Sequence, residues 1–229
     1  MTHPLVVEVR AALKKAADPA KATQMQAYMK SALPYRGVAS PALKALWRQL
    51  FPAHPLTSAA AWQGVALTLW REAAWREERY AAIALTDLPR YRTYRTPDAL
   101  PMLEEMIVTG AWWDLVDPLA THHLGDVLRT APRRVAPLMR RWARSTDMWQ
   151  RRAAILCQIR SKGDTDLDLL YGCIEPNCAD RAFFIRKAIG WALRQYAWVD
   201  PAEVARYVRV NRTRLSPLSV REALKNVGR

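Results

Sequence analysis

The chain has 229 residues, enough for one or two domains, and 51% of them are hydrophobic, which supplies a core and excludes global disorder. Lys and Arg number 35 against 21 Asp and Glu, a formal net charge of +14, so a polyanion is the expected partner. Gly is scarce at 8 residues while Ala and Leu abound, which favours helices over sheets.

In chain order, a helical segment is predicted at 41–46 (Pro-Ala-Leu-Lys-Ala-Leu) and an amphipathic stretch at 59–70. Arg79-Tyr80-Ala81-Ala82-Ile83 follows, and Pro89 and Pro97 then break the pattern. Thr96-Pro97-Asp98 is a helix-start signal, with Pro at the first helical position, and opens the stretch 100–108. Trp112-Trp113-Asp114-Leu115-Val116-Asp117 comes next. The stretch 135–143 leads to Arg151-Arg152-Ala153-Ala154-Ile155, and 167–173 leads to Arg186-Lys187-Ala188-Ile189. Last, 202–208 leads through Ser216-Pro217 to Arg221-Glu222-Ala223-Leu224, with Pro132, Pro176, Pro201 and Pro217 as separators.

The Arg-bearing segments recur. Arg79, Arg151, Arg186 and Arg221 are spaced by 72, 35 and 35 residues, and the first gap is two periods of 36. The copy in that gap falls on the Trp112–Asp117 stretch, and one period before Arg79 falls on 41–46. About six helix pairs result, and pairs this short must stack to bury their faces. The expected fold is therefore all-α: an α-solenoid of HEAT-like pairs forming a single domain over 1–229. The recurrent helices would line its concave face. Arg133, Arg134, Arg140, Arg141, Arg144, Arg151, Arg152, Arg160 and Lys162 concentrate charge in one region. A basic concave face suits a nucleic-acid duplex. Some of these charges are simply solvated helix faces, but the periodic Arg151, Arg186 and Arg221 should in part face one groove.

Trp47, Trp62, Trp70 and Trp142 are assigned to packing, with Trp112 and Cys157 beside them. Trp113 and Trp191 stand apart because they lie on recurrent helices. Gly190, just before Trp191, costs a helix about 1 kcal/mol relative to Ala; a ligand approaching closely and tight helix packing explain it equally well. Trp113 and Asp117 are four residues apart and share a helix face. An acid on a DNA-facing surface repels phosphate unless it has work to do there, although an early-turn Asp also complements a helix dipole. Asp114 is the rival acid.

No apolar run approaches the roughly 18 residues of a membrane span. No secretory signal is read at Met1-Thr2-His3-Pro4-Leu5, and Cys157, Cys173 and Cys178 suit a reducing compartment, so the cytoplasm is expected. His3, His54, His122 and His123 make no zinc spacing with the cysteines, and neither metal nor cofactor is expected.

Several segments together resemble the AlkD family of DNA glycosylases. They are Glu105-Met106-Ile107-Val108-Thr109, the Trp112–Asp117 stretch, Leu124-Gly125-Asp126, the segment Trp149 to Leu156 and the segment Phe183 to Tyr196. Tyr28-Met29-Lys30 and Leu215 to Ala223 match near the ends, so the resemblance covers nearly the whole chain. It implies a HEAT-like solenoid that excises purines alkylated at N3 or N7 from double-stranded DNA while leaving the lesion stacked. It implies that Asp117 is the catalytic carboxylate, that Trp113 and Trp191 flank the deoxyribose, that Arg152 holds the phosphate side and that Tyr28 contributes from the first repeat. Lys44, Arg151, Phe183, Arg186, Lys187 and Arg221 complete the expected DNA-facing set. Lys44 stands where the family pattern leads one to expect Arg, which keeps charge but loses a bidentate contact. His122-His123 also depart from it.

The chemistry of the residues agrees with that implication. Cleaving an N-glycosidic bond builds oxocarbenium character, which a nearby carboxylate stabilises while it orients water. A cationic base leaves without a general acid, and indoles on the sugar exclude water. No Lys adjoins Asp117 in sequence to suggest Schiff-base chemistry. The competing expectation is a non-catalytic HEAT-like nucleic-acid-binding or scaffold protein. No membrane association and no obligate protein partner are expected, and a monomer is the simplest state.

Overall fold

Prolines and short polar side chains set where the helices begin. In the computed structural model, which describes residues 2–228, Pro occupies the first turn of α1 (Pro4–Lys15), α2 (Pro19–Met29) and α3 (Ser40–Ala53), where a missing N–H costs no helical bond. Asp18 caps α2 through the N–H of Lys21, and Ser58 caps α4 (Ala59–Arg71) through that of Ala61. With α5 (Arg76–Thr86) these helices make up the first of two compact units, Met1–Tyr94; the second is Arg95–Arg229.

In the first unit α1 packs on α3, α4 and α5, and α4 runs along α5. Leu5, Leu13, Phe51, Trp62, Leu69 and Trp70 fill the space between them. Glu77 is fully buried, and its carboxylate accepts the backbone N–H groups of Arg36, Gly37 and Val38, which fixes the loop between α2 and α3. Gly37 has φ +81, and a Cβ there would lie 2.0 Å from the Asp18 carbonyl oxygen.

The second unit holds α6 (Leu100–Gly110), α7 (Trp113–Pro118), α8 (Gly125–Thr130), α9 (Pro132–Trp142), α10 (Met148–Leu156), α11 (Leu167–Ile174), α12 (Phe183–Tyr196), α13 (Pro201–Val210) and α14 (Pro217–Ala223). Every recurrent segment is a helix or opens one: α3, α5, α7, α10, α12 and α14. The helices α4, α6, α9, α11 and α13 alternate with them. Within the second unit α10 packs on α6, α7 and α12, α12 packs on α14, and α9 packs on α11. The fold is all-α, without a strand among the described residues, and within the second unit successive helix pairs stack as they do in an α-solenoid.

Trp47, Trp62, Trp70, Trp142 and Cys157 are buried, as the sequence leads one to expect. No helix among the described residues is long and apolar enough to cross a membrane.

Candidate active site

The approach to Asp117 is a sharp reversal. Ala111 ends α6 in the left-handed region at φ 43, and Trp112 is extended, so the chain turns directly into α7. Pro118 has no N–H to offer the carbonyl of Asp114, and the helix widens to a π register over Leu119–Leu124 before α8 resumes. The Thr121 hydroxyl donates to the Asp117 carbonyl at 2.8 Å, and His123 Nδ1 lies 3.3 Å from the Pro118 carbonyl. Asp117 is thus fixed at a break in helical register, with Leu115 and Val116 buried beside it and Trp113 38% exposed.

The helix α10 supplies the partner. Asp147 caps it through the N–H groups of Trp149 and Gln150 at 2.9 and 2.8 Å. Arg152 then grips Asp117 bidentately, Nε to Oδ1 and Nη2 to Oδ2, each at 2.7 Å. Its Nη1 donates to the Phe184 carbonyl, and Cζ lies 5.8 Å from the Phe184 ring centre. Arg152 is only 3% exposed. Each of its three guanidinium nitrogens thus has an acceptor within the protein, Asp117 for two of them and the Phe184 carbonyl for the third.

The helix α12 closes the site. Phe183, Lys187, Trp191 and Arg194 follow one another at helical spacing, and with Trp113, Arg152 and Phe184 they line a cleft of about 240 Å³. Asp117, with a side chain 14% exposed, meets this wall through Arg152. Burial pushes its carboxyl above the usual range; the Arg152 bonds oppose that rise, and the charge of half-buried Asp114 adds to it. Trp112 packs edge-on to Phe184 at 5.3 Å and against Trp149 at 6.2 Å behind the cleft, a packing role.

The structure therefore brings Asp117, Trp113, Arg152, Phe183, Lys187 and Trp191 together. Arg151 lies outside the cleft lining, bonded to Asp180 at 3.0 Å and to the Ser145 and Thr146 carbonyls. Arg186 donates to the Asp180 carbonyl, and Arg221 is exposed on α14. Tyr28 and Lys44 belong to the first unit; Tyr28 is 78% exposed, and Lys44 borders a groove with Trp47, Arg48, Phe51 and Arg90. Sequence reasoning missed Phe184 and Arg194. The spacing of Arg194, seven residues after Lys187 and three after Trp191, was the available signal. Gly190 is explained by packing: a Cβ there would meet α14.

Fold and site together define an all-α protein of stacked helix pairs, with a carboxylate–guanidinium pair set against an aromatic cleft. A family model described as DNA alkylation repair enzyme matches residues 9–227, and the chain belongs to that family. It is also similar to a solved structure of a predicted DNA alkylation repair enzyme from Enterococcus faecalis, at 28% identity and a TM-score of 0.79, over 93% of this chain and 97% of that one. No curated protein matches the chain.

Proposed function

We propose that the chain is a monofunctional DNA glycosylase that hydrolyses the N-glycosidic bond of cationic N3- and N7-alkylated purines in duplex DNA. The observation that carries this reading is the Asp117 carboxylate, gripped by Arg152 and set against an indole-lined cleft in a protein of charge +14. As the bond to a cationic base breaks, the base leaves neutral and the positive charge passes to the sugar. Asp117 stabilises that charge and orients the attacking water. Arg152 holds the carboxylate in place and favours its ionised form against burial. Trp113 and Trp191 cover the sugar faces and keep stray water out. Phe183 and Lys187 meet the lesion strand at the cleft.

Tyr28, Lys44, Arg151, Arg186 and Arg221 follow the phosphates, and the span 1–229 acts on the duplex as one domain and as a monomer. The lesion stays stacked, in contrast to glycosylases that flip their base. The pairing of Lys187 with Glu222 at 3.0 Å supports a reading without Schiff-base chemistry.

Methylated duplex incubated with the protein tests this reading, with the products followed by chromatography. Free 3-methyladenine and 7-methylguanine should appear, leaving abasic sites without strand cleavage, and borohydride should trap no protein–DNA adduct. Transfer of the methyl group to the protein, or no base release, would sink the proposal.

A further inference from the structure

Gly190 lets α14 come closer to α12 than any larger residue would permit. A Cβ at that position would lie 2.5 Å from Glu222 Cβ and 2.9 Å from the Ser219 carbonyl oxygen. The close approach carries Glu222, 3% exposed, to the two cations that α12 contributes to the cleft. Its carboxylate pairs through Oε1 with Lys187 Nζ at 3.0 Å and with Lys225 Nζ at 2.8 Å, and through Oε2 with the Arg194 guanidinium. Lys187 and Arg194 both line the cleft, and the remaining cation there, Arg152, is matched by Asp117. Every cation of the cleft wall therefore has a carboxylate partner, and Glu222 is the more deeply buried of the two acids.

This arrangement has an electrostatic consequence. Lys187 and Arg194 without a counter-anion would attract phosphate but repel a cationic base and the positive charge developing on the sugar. With a buried anion between them, they keep N–H groups to offer to phosphate or sugar oxygens while part of the repulsion is offset. A carboxylate on the surface could do this only by also repelling the DNA backbone; one enclosed behind the wall avoids that.

We propose that Glu222 tunes the cleft's selectivity for a cationic purine nucleotide, by offsetting part of the charge of Lys187 and Arg194 from behind. The inference rests on the glycosylase reading above. Glu222 touches neither nucleotide nor reacting atoms, so it acts as a positioning and charge-balancing residue through Lys187 and Arg194.

The test compares dissociation constants for two duplexes, one with a neutral tetrahydrofuran abasic site and one with a cationic pyrrolidine abasic analogue at the same place. Wild type should prefer the cationic duplex. Glu222→Gln should lower that preference about tenfold, near the effect of one unbalanced charge at close range, and bind the neutral duplex at least as tightly. Glu222→Asp should keep most of the preference. Adding Lys187→Met to Glu222→Gln should restore it, because the pair of changes returns the wall to its original charge. An unchanged ratio in Glu222→Gln, or equal loss of both affinities, would overturn the proposal. Should Glu222→Gln fail to fold, Lys187→Met alone should raise the preference, and an unchanged preference would overturn the inference. A preference that disappears in Asp117→Asn but survives Glu222→Gln would sink this inference alone. Its absence from wild type would count against the glycosylase reading as well.

Discussion

At the scale of single residues the site turns on Asp117, which two opposed influences act upon. Burial raises its carboxyl, and the paired bonds from Arg152 lower it. Arg152→Met removes the lowering influence. The acid limb of the single-turnover rate against pH should therefore move to higher pH. A residual rate that keeps the wild-type limb would show that Arg152 does not govern Asp117. Part of this was legible in sequence: the four-residue spacing of Trp113 and Asp117, and an acid in a basic, aromatic setting with Asp114 as its rival. The resemblance named Arg152 beside Asp117, but their bidentate pairing across 35 residues was not legible, because only the packing of α10 against α7 reveals it. Glu222 was equally silent, since nothing in Arg221-Glu222-Ala223 tells a buried acid from a solvated one.

The scale of the helix explains how these side chains are held. Asp147 caps α10 and so fixes the first turns that carry Arg152. Asp147→Ala should cost about 1 kcal/mol in urea unfolding, and excision should fall further than stability alone accounts for. At Gly190 the usual rule reverses. Gly→Ala in an open helix interior gains about 1 kcal/mol, but here the added Cβ strikes Glu222 and the Ser219 backbone. Gly190→Ala should therefore destabilise by about 1–3 kcal/mol, and a variant more stable than wild type would show that α12 and α14 are not tightly apposed. The recurrent helices were readable because Arg, Ala and a branched apolar residue return at a fixed period. The helices α1 and α2 lack that signature and went unread. The π register over Leu119–Leu124 has only Pro118 as a local clue, and a proline alone does not distinguish a kink, a break and a widened turn.

Across the whole molecule, charge governs both partner and stability. A protein of +14 that follows phosphates should lose duplex affinity steeply and log-linearly with salt, and a shallow slope in a titration would count against phosphate tracking. Burial alone would raise the Glu222 carboxyl, but hydrogen bonds from Lys225 and Lys187 hold it down at about 2. Its folded value lies below its unfolded one, so its stabilisation is complete above the unfolded value of 4.5 and fades as pH falls toward about 2. Wild type should accordingly lose more stability between neutral pH and pH about 3 than Glu222→Gln does, as read from urea midpoints. The repeat period and the composition made the all-α, stacked-pair architecture legible. The division into two compact units was not, since no linker composition marks the chain near Tyr94.

The most direct measurement is single-turnover release of 7-methylguanine from a defined duplex by wild type and Asp117→Asn, with duplex binding and thermal melting followed alongside. The account predicts release by wild type, slowed about 100-fold or more in the variant, with binding and melting little changed. Equal rates in the two proteins would contradict it.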